Sequence, residues 1–528
     1  MKVVNQMSEQ NTPVIIAAID VGSSAIRMEI AEVSAGGALR ILENLSKGVS
    51  LGKDTFTTGQ LGEETLQTAC QALSDFSKVM QVYGVSKYRA VTTSAVREAA
   101  NADTFLDRAF IRSGIDIEII SGSEENRLTY LAIQEALRDK VDWHSQNSLI
   151  VEVGGGSTDI SFMQAGTALH SGNFPLGAVR LRQTLIAMKA DFKQRVRILD
   201  RQIKNTIDSI SNTIPFDQAS EVIALGGDIR FAAKQLSTQQ HESSEDLWVI
   251  RPKEFSKFCG EVARLEIDGL VRQFNLAYAQ AETLVPALFA YKHIFDRTKA
   301  ERIVVLGVSI RNGLLLDMAR REFGKRMESL EEQILASARA LARKYRSNEN
   351  HIEQVRMLSL SLFDQLQAEH GLENKERLLL EAAAILHDIG RYVSDRSHHK
   401  HTQYLIGASE IFGLSREDID LIANIARYHR KSAPMRTHPA YASLDRDSRM
   451  IVSKLAALLR VADALDQDYS KKIKNLRVAK DEERSRYVLE VEAEGDLTME
   501  RFSVETKGDL FKAIFGKPIV LGQVEETQ

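Results

Sequence analysis

Cysteine is nearly absent. The 528 residues include two, Cys70 and Cys259. Their spacing fits neither a metal knuckle nor a redox pair, so a disulfide scaffold is excluded and a reducing cytoplasmic setting is expected. Proline is also scarce, eight in all, which favours long helices over a loop-rich all-β design. No stretch reaches the roughly 18 apolar residues of a membrane span, and the opening MKVVNQMSEQNTP has no signal-type apolar run. No membrane partner is therefore expected. The net charge is only −4, so no global basic field points to DNA, although a local basic channel for a polyanion fits inside such a total. The length predicts three or four domains at roughly 100–200 residues each.

What the sequence does have is recurring glycine turns at strand ends. PVIIAAIDVGSSAIRMEIAEV reads as a buried strand from Val14 to Ile19, a turn, and a returning strand from Ile26 to Val33. A helix is expected from about Gly62 to Tyr83, then strands near Tyr88–Thr93 and Ile115–Ile120 and a helix starting near Glu124. The hairpin pattern recurs with Ser148–Val153, the turn Gly154–Thr158 and Asp159–Met163. Further turns occur at Gly226-Gly227 and near Gly307. This repetition predicts an α/β fold of two similar lobes with a ligand in the cleft between them. Residues 325–470 show helical stripes without strands, and a small β-rich tail follows Lys471. The expected segments are 12–130 and 131–320 for the lobes, 321–475 for an all-α region and 476–528 for the tail.

Glycine in such a turn brings backbone N–H groups close to an anion, and neighbouring hydroxyls add donors. The carboxylates Asp20 and Glu152 end the two incoming strands, where they suit a divalent cation bridging to phosphate. Each hairpin thus reads as half of a phosphate–metal clamp.

The segments DVGSSAIRM, TTSAVREA, SGSEENRLTYLA and VEVGGGSTDISF, in that order, resemble the exopolyphosphatase / guanosine pentaphosphate phosphatase family of the actin-like (ribonuclease H-like) superfamily. The resemblance covers residues 14–315 and implies specific roles. Glu125 would activate water and Arg97 would contact phosphate. Asp20, Gly22, Ser23, Ser24, Gly154, Gly155, Gly156, Ser157 and Thr158 would bind phosphate, and the separate turn at Gly226 and Gly227 is read as a further phosphate contact. Glu152 and Asp159 would hold Mg²⁺. The chain departs from the family pattern at Ser24 (usually Asn), Glu152 (usually Asp) and Asp159 (usually Glu). A homodimer is implied by the resemblance alone.

The helical region carries a second constellation. His351 shares a stripe with Val355, Leu358 and Leu362, and Asn350 with Glu353 reads as a capping pair. LLLEAAAILHDIG is an apolar helix ending at His387-Asp388 and stopped by Gly390. Asp463 lies on the inward face of VSKLAALLRVADALD. Buried imidazole and carboxylate together suit a divalent transition metal. The order resembles the HD-domain metal phosphohydrolases, which adds His401 and His429 as ligands. The alternative is a metal-free relic serving dimerisation and substrate binding. His398 and His399 read as solvated or phosphate-contacting loop residues. His144, His170, His241, His293, His370 and His438 read as surface or packing residues. Arg427, Arg430, Lys431 and Arg436 form a basic run that lines a phosphate channel or caps a solvated helix end.

The leading expectation is exopolyphosphatase, releasing terminal phosphate from inorganic polyphosphate. Alternatives are guanosine pentaphosphate (pppGpp) 5′-phosphohydrolase, an actin-like kinase or ATPase, and a nucleotide sensor whose chemistry lies at the HD-type site.

Overall fold

The computed structural model describes residues 14–34, 37–138, 146–186, 190–237, 246–322, 328–522 and 525–526. The N-terminal tail, His144 and His241 lie outside the described residues. The chain forms two compact units, Met1–Met327 and Glu328–Gln528.

The first unit contains two sheets built to one plan. β1 (Val14–Val21), β2 (Ala25–Val33), β3 (Leu39–Gly48), β4 (Lys87–Thr92) and β5 (Ile117–Ile119) form a sheet in the order β3-β2-β1-β4-β5. The first three strands form an antiparallel meander, and β4 and β5 run parallel to β1. β6 (Asn147–Val153), β7 (Thr158–Gln164), β8 (Thr167–Phe174), β9 (Glu221–Leu225), β10 (Leu247–Ile250) and β11 (Ile303–Leu306) form the second sheet, ordered β10-β11-β9-β6-β7-β8. Again a meander leads into parallel strands, with β10 added antiparallel at the edge.

β1 shows why its sequence is apolar nearly throughout: it is covered on both faces. Ala17, Ile19 and Val21 pack with Leu66, Leu73 and Phe76 of the helix Glu63–Tyr83. Ile16 and Ala18 face the other way, onto Leu128, Leu314 and Leu315. Those last three residues belong to the helices Gly122–Leu137 and Ile310–Glu322. The two helices cross closely, since a Cβ on Gly313 would sit 2.0 Å from the carbonyl oxygen of Leu128.

The expected divisions at 130, 320 and 475 all fall inside elements. The first lies in the helix Gly122–Leu137, the second in Ile310–Glu322 and the third in β12 (Ile473–Asp481). The helix Ile310–Glu322 packs back against the first sheet although it follows the second in sequence.

In the second unit, helices Glu328–Lys344, Glu349–Gln365, Asn374–Leu386, Arg416–Arg427 and Arg446–Ala464 share one core with the C-terminal strands. β12 pairs antiparallel with β13 (Arg486–Ala493), which pairs parallel with β14 (Ile519–Leu521) and β15 (Glu525–Glu526). Leu489, Val491 and Leu521 join that same core, so the tail is no separate segment.

Two local expectations are corrected. The cap of Glu349–Gln365 is Asn348, whose side chain accepts from the backbone N–H groups of Asn350 and His351. Glu353 instead pairs with Arg356 and Arg339. Gly390 is no left-handed helix stop: a Cβ there would lie 2.2 Å from the His398 carbonyl oxygen, so it marks a close crossing. Among the described residues no helix is long and apolar enough to cross a membrane.

Candidate active site

The β1–β2 and β6–β7 hairpins close in the same way. Gly22 N–H donates to the Ala25 carbonyl at 3.1 Å, and Gly154 N–H to the Ser157 carbonyl at 2.9 Å. The two turns approach each other, since a Cβ on Gly155 would lie 2.7 Å from Ser23 Cβ. Arg180 braces this contact, with its Nε on the Gly156 carbonyl at 2.8 Å and its Nη2 on Glu98 at 2.7 Å. The third turn is held by Tyr291. Its hydroxyl accepts from Val153 N–H at 2.9 Å and donates to the Leu225 carbonyl, joining the ends of β6 and β9. Gly226 then follows at φ +115°, a conformation open to glycine alone.

These turns enclose a cleft of about 410 Å³. Asp20, Gly22, Ser23, Ser24, Glu125, Glu152, Gly154, Gly155, Ser157, Gly226 and Gly227 all line it. So do four charged residues the sequence reading passed over: Arg27, Asp228, Arg230 and Arg311. Asp228 and Arg230 stand directly after the LGG turn, and Arg311 opens the helix after Gly307. That position beside a glycine turn was the available signal.

Four expected residues do not line the cleft. Thr158 is fully buried and donates its hydroxyl to the Leu176 carbonyl at 2.6 Å. Asp159, one residue on and so on the opposite face of β7, accepts from Asn173 Nδ2 at 2.8 Å. Gly156 packs under Phe56 and Ser94, each within 2.4 Å of where a Cβ would stand. Arg97 donates to the Ile120 carbonyl at 2.6 Å. Asp159 and Arg97 still act on the site, because both charges bear on Glu125.

Glu125 sits in the first turn of the helix Gly122–Leu137, behind the N-cap Ser121. Its Oε2 is sealed from solvent and has no hydrogen-bond partner. Burial pushes its pKa well above the ordinary glutamate value; Asp159 adds to the shift and Arg97 opposes it. The neighbouring Glu124 has a different task. Arg127 grips it through Nε at 2.6 Å and Nη2 at 2.8 Å, and Arg89 adds a contact at 3.1 Å. Arg127 also binds Asp317 at 3.0 Å, fastening this turn to the helix Ile310–Glu322.

Asp20 and Glu152 are likewise raised by burial, with Arg27 and Arg311 opposing the first shift and Arg230 the second. Asp228 is pushed up to about 6 by burial. Desolvated carboxylates facing an anion-binding cleft are costly without a cation, so the donor set of Asp20 and Glu152 fits a hard divalent ion.

In the second unit, His351, His387, Asp388, His429 and Asp463 converge as expected. His387 Nε2 lies 3.2 Å from His351 Nε2, and Asp463 Oδ1 lies 3.5 Å from His351 Nε2 and 3.8 Å from His387 Nε2. His401 does not join them. His398 takes its place, with Nε2 3.1 Å from His429 Nε2 and 3.2 Å from Asp388 Oδ1. His398 and His401 belong to one helix, His398–Gly407, and three residues carry His401 about 4.5 Å further along its axis. His398 and His399 are therefore buried helical residues rather than solvated loop residues. Sequence reading also missed Asp466, Tyr469 and Lys507, which bind His351, Asp388 and Asp463 at 2.7 Å each. The basic run divides: Arg430 contacts His398 at 3.3 Å, Arg427 binds Gln403, and Lys431 and Arg436 are exposed.

Residues 29–322 match the model of the Ppx/GppA phosphatase family, and residues 335–502 match that of Ppx/GppA phosphatase, domain III. The chain is 25% identical over 423 residues to the guanosine-5'-triphosphate,3'-diphosphate pyrophosphatase of Photobacterium profundum, covering 79% of this chain and 80% of that protein. It is 24% identical over 458 residues to the protein of the same name from Pseudoalteromonas atlantica, covering 86% of each. Among solved structures, an exopolyphosphatase from Cytophaga hutchinsonii shares the fold with a TM-score of 0.53 at 20% identity, covering 58% of this chain and 98% of that one. With more than half its length matched by one family model, the chain belongs to the Ppx/GppA phosphatases, enzymes that hydrolyse phosphoric anhydride bonds.

Proposed function

We propose that this chain is an exopolyphosphatase, releasing terminal phosphate from inorganic polyphosphate. The observation that carries the reading is the wall of Arg27, Arg230 and Arg311 in a cleft that also holds Glu125, whose Oε2 is sealed and has no hydrogen-bond partner. Three guanidinium groups suit a run of phosphates. Among the described residues no aromatic side chain lines the cleft to stack a purine.

The backbone N–H groups of the facing glycine turns and the hydroxyls of Ser23 and Ser157 hold the terminal phosphate. Glu125, with its raised pKa, takes a proton from the attacking water, and Arg97 and Asp159 set the field around it. Asp20 and Glu152 would hold Mg²⁺, which supplies charge neutralisation on phosphate oxygens when bound. The buried free thiols Cys70 and Cys259 support a cytoplasmic setting.

A second reading, hydrolysis of guanosine pentaphosphate, is favoured by the two relatives named guanosine-5'-triphosphate,3'-diphosphate pyrophosphatase. The test compares kcat/KM for phosphate release from long-chain polyphosphate and from pppGpp. A clear preference for polyphosphate is expected. A preference for pppGpp would install the second reading, and phosphate transfer to an acceptor other than water would overturn both.

A further inference from the structure

The carbonyls of the second hairpin turn are captured from one side. Gly154 accepts from Ala178 N–H at 2.9 Å, and Gly155 accepts from Val179 N–H at 2.8 Å and Arg180 N–H at 3.2 Å. Gly156 accepts from Arg180 Nε at 2.8 Å. The approach is close because residue 177 is glycine: a Cβ there would lie 2.3 Å from the Gly156 carbonyl carbon.

A trans peptide points its C=O and its N–H in opposite directions. Holding these three carbonyls toward the start of the helix Ala178–Ile186 therefore turns the N–H groups of Gly155, Gly156 and Ser157 the other way. None of the three N–H groups has a partner among the described residues, and Gly155 and Ser157 line the cleft. Successive free N–H groups on one side of a turn form a nest for an anion. Two of the three carbonyls are held by backbone, which no side-chain substitution removes. The third depends on one side chain. The first hairpin has no such dependence, since its Ser23 and Ser24 carbonyls accept from Gly52 N–H at 2.8 Å and Val49 N–H at 3.0 Å.

The Arg180 guanidinium is itself fixed from the side of the first sheet. Its Nη2 donates to both Glu98 carboxylate oxygens at 2.7 Å, and its central carbon lies 4.1 Å from the centroid of the Phe56 ring. Glu98 follows the short helix Ser94–Arg97, and Phe56 belongs to the helix Leu51–Thr58; both helices pack into the core under the first sheet. Ala178 and Leu181, which flank Arg180, pack into the core under the second. A planar guanidinium fork makes all these contacts at once, which the point charge of a lysine does not. With side chains 25% and 42% exposed, Arg180 and Glu98 form a pair that adds little to stability.

On the reading that these turns hold the terminal phosphate, we propose that Arg180 is a positioning residue for its hydrolysis. Through Nε on the Gly156 carbonyl it aims the Ser157 N–H at the phosphoryl group, and through Glu98 and Phe56 it makes that aim depend on the first sheet. Arg180 does not itself line the cleft. A peptide left free to rotate still allows its neighbours to bind phosphate, but it removes a donor that is already in place when charge builds in the transition state. The loss therefore falls on kcat rather than on KM.

Steady-state phosphate release is measured for Arg180→Met, Arg180→Lys, Glu98→Gln and the double variant of Arg180→Met with Glu98→Gln. The substrate is polyphosphate or pppGpp, whichever wild type hydrolyses faster. That choice by wild type tests the functional reading and the ratio of variant to wild type tests Arg180, so the two fail separately. Arg180→Met is expected to lower kcat about 100-fold, the scale of a small misplacement, with KM within about threefold of wild type. Arg180→Lys recovers only a small part of that loss. The double variant matches Arg180→Met, because both residues act through one guanidinium. Thermal melts stay within a few degrees of wild type. Glu98→Gln, the milder change, lowers kcat in the same direction and decides the matter if Arg180→Met does not fold. Unchanged kcat in the folded variants, a loss confined to KM, or a double variant in which the two single losses multiply overturns the proposal.

Discussion

Arg97 Nη1 stands 3.8 Å from Glu125 Oε2 while donating to the Ile120 carbonyl at 2.6 Å. Its nearest anionic group is thus the carboxylate proposed to activate water. Arg97 lowers the Glu125 pKa, whereas burial and Asp159 raise it.

The sign of the pH dependence follows. A general base works deprotonated, and the folded-state pKa of Glu125 is above the ordinary value of 4.5. Activity should therefore rise with pH through a limb lying well above that value. Arg97→Met should move the limb of kcat/KM to higher pH, and Asp159→Asn should move it to lower pH. The pH–rate profiles of the three proteins check both directions.

Breaking the buried network behind Glu124 should destabilise the first unit. Asp317 is fully buried and Arg127 nearly so. Asp317→Asn weakens one of the two carboxylate partners of Arg127, Glu124 remaining, and should cost about 1.5–3 kcal/mol in chemical denaturation, the scale for a hydrogen bond to a charged group. kcat should fall as well, because the Glu125 turn loses its anchor on the helix Ile310–Glu322.

Two glycines should respond oppositely to alanine. A Cβ on Gly313 would meet the Leu128 backbone at 2.0 Å, so Gly313→Ala should force the helices apart and lower Tm. A Cβ on Gly260 meets nothing within 4 Å in the helix Pro252–Val262. Gly260→Ala should raise stability by about 0.5–1 kcal/mol. Thermal melts of both variants decide.

Arg230 is placed by its hydrogen bond to the Gly307 carbonyl at 3.0 Å and opposes the raised pKa of Glu152. Arg230→Gln should raise KM for polyphosphate several-fold and flatten the dependence of KM on salt. Steady-state kinetics at two ionic strengths measures both effects.

The central strands and glycine turns were legible because each carries a local signal: an apolar run of period two, then a residue type suited to a tight turn. β3, β8 and β10 were not read. β3, β8 and β10 are all edge strands with mixed burial, so their pairing comes from neighbours rather than from their own pattern. The cleft arginines were missed because Arg27 sits inside a strand and Arg311 at a helix start, where charge normally means solvent. Arg311 is instead buried against Glu29 at 2.9 Å, a partner 282 positions away. The exchange of His398 for His401 turns on where the helix begins. Here it begins at His398, after Ser397 in the left-handed region, a detail no periodicity revealed.

The most direct test is phosphate release from long-chain polyphosphate by three proteins: wild type, Glu125→Gln and the double variant His387→Ala with Asp388→Ala. Loss of the base should cost about 10²–10⁴-fold in kcat. The double variant, altered only in the second unit, should keep most of the activity. An active Glu125→Gln protein beside an inactive double variant would contradict the account and move the chemistry to the histidine cluster.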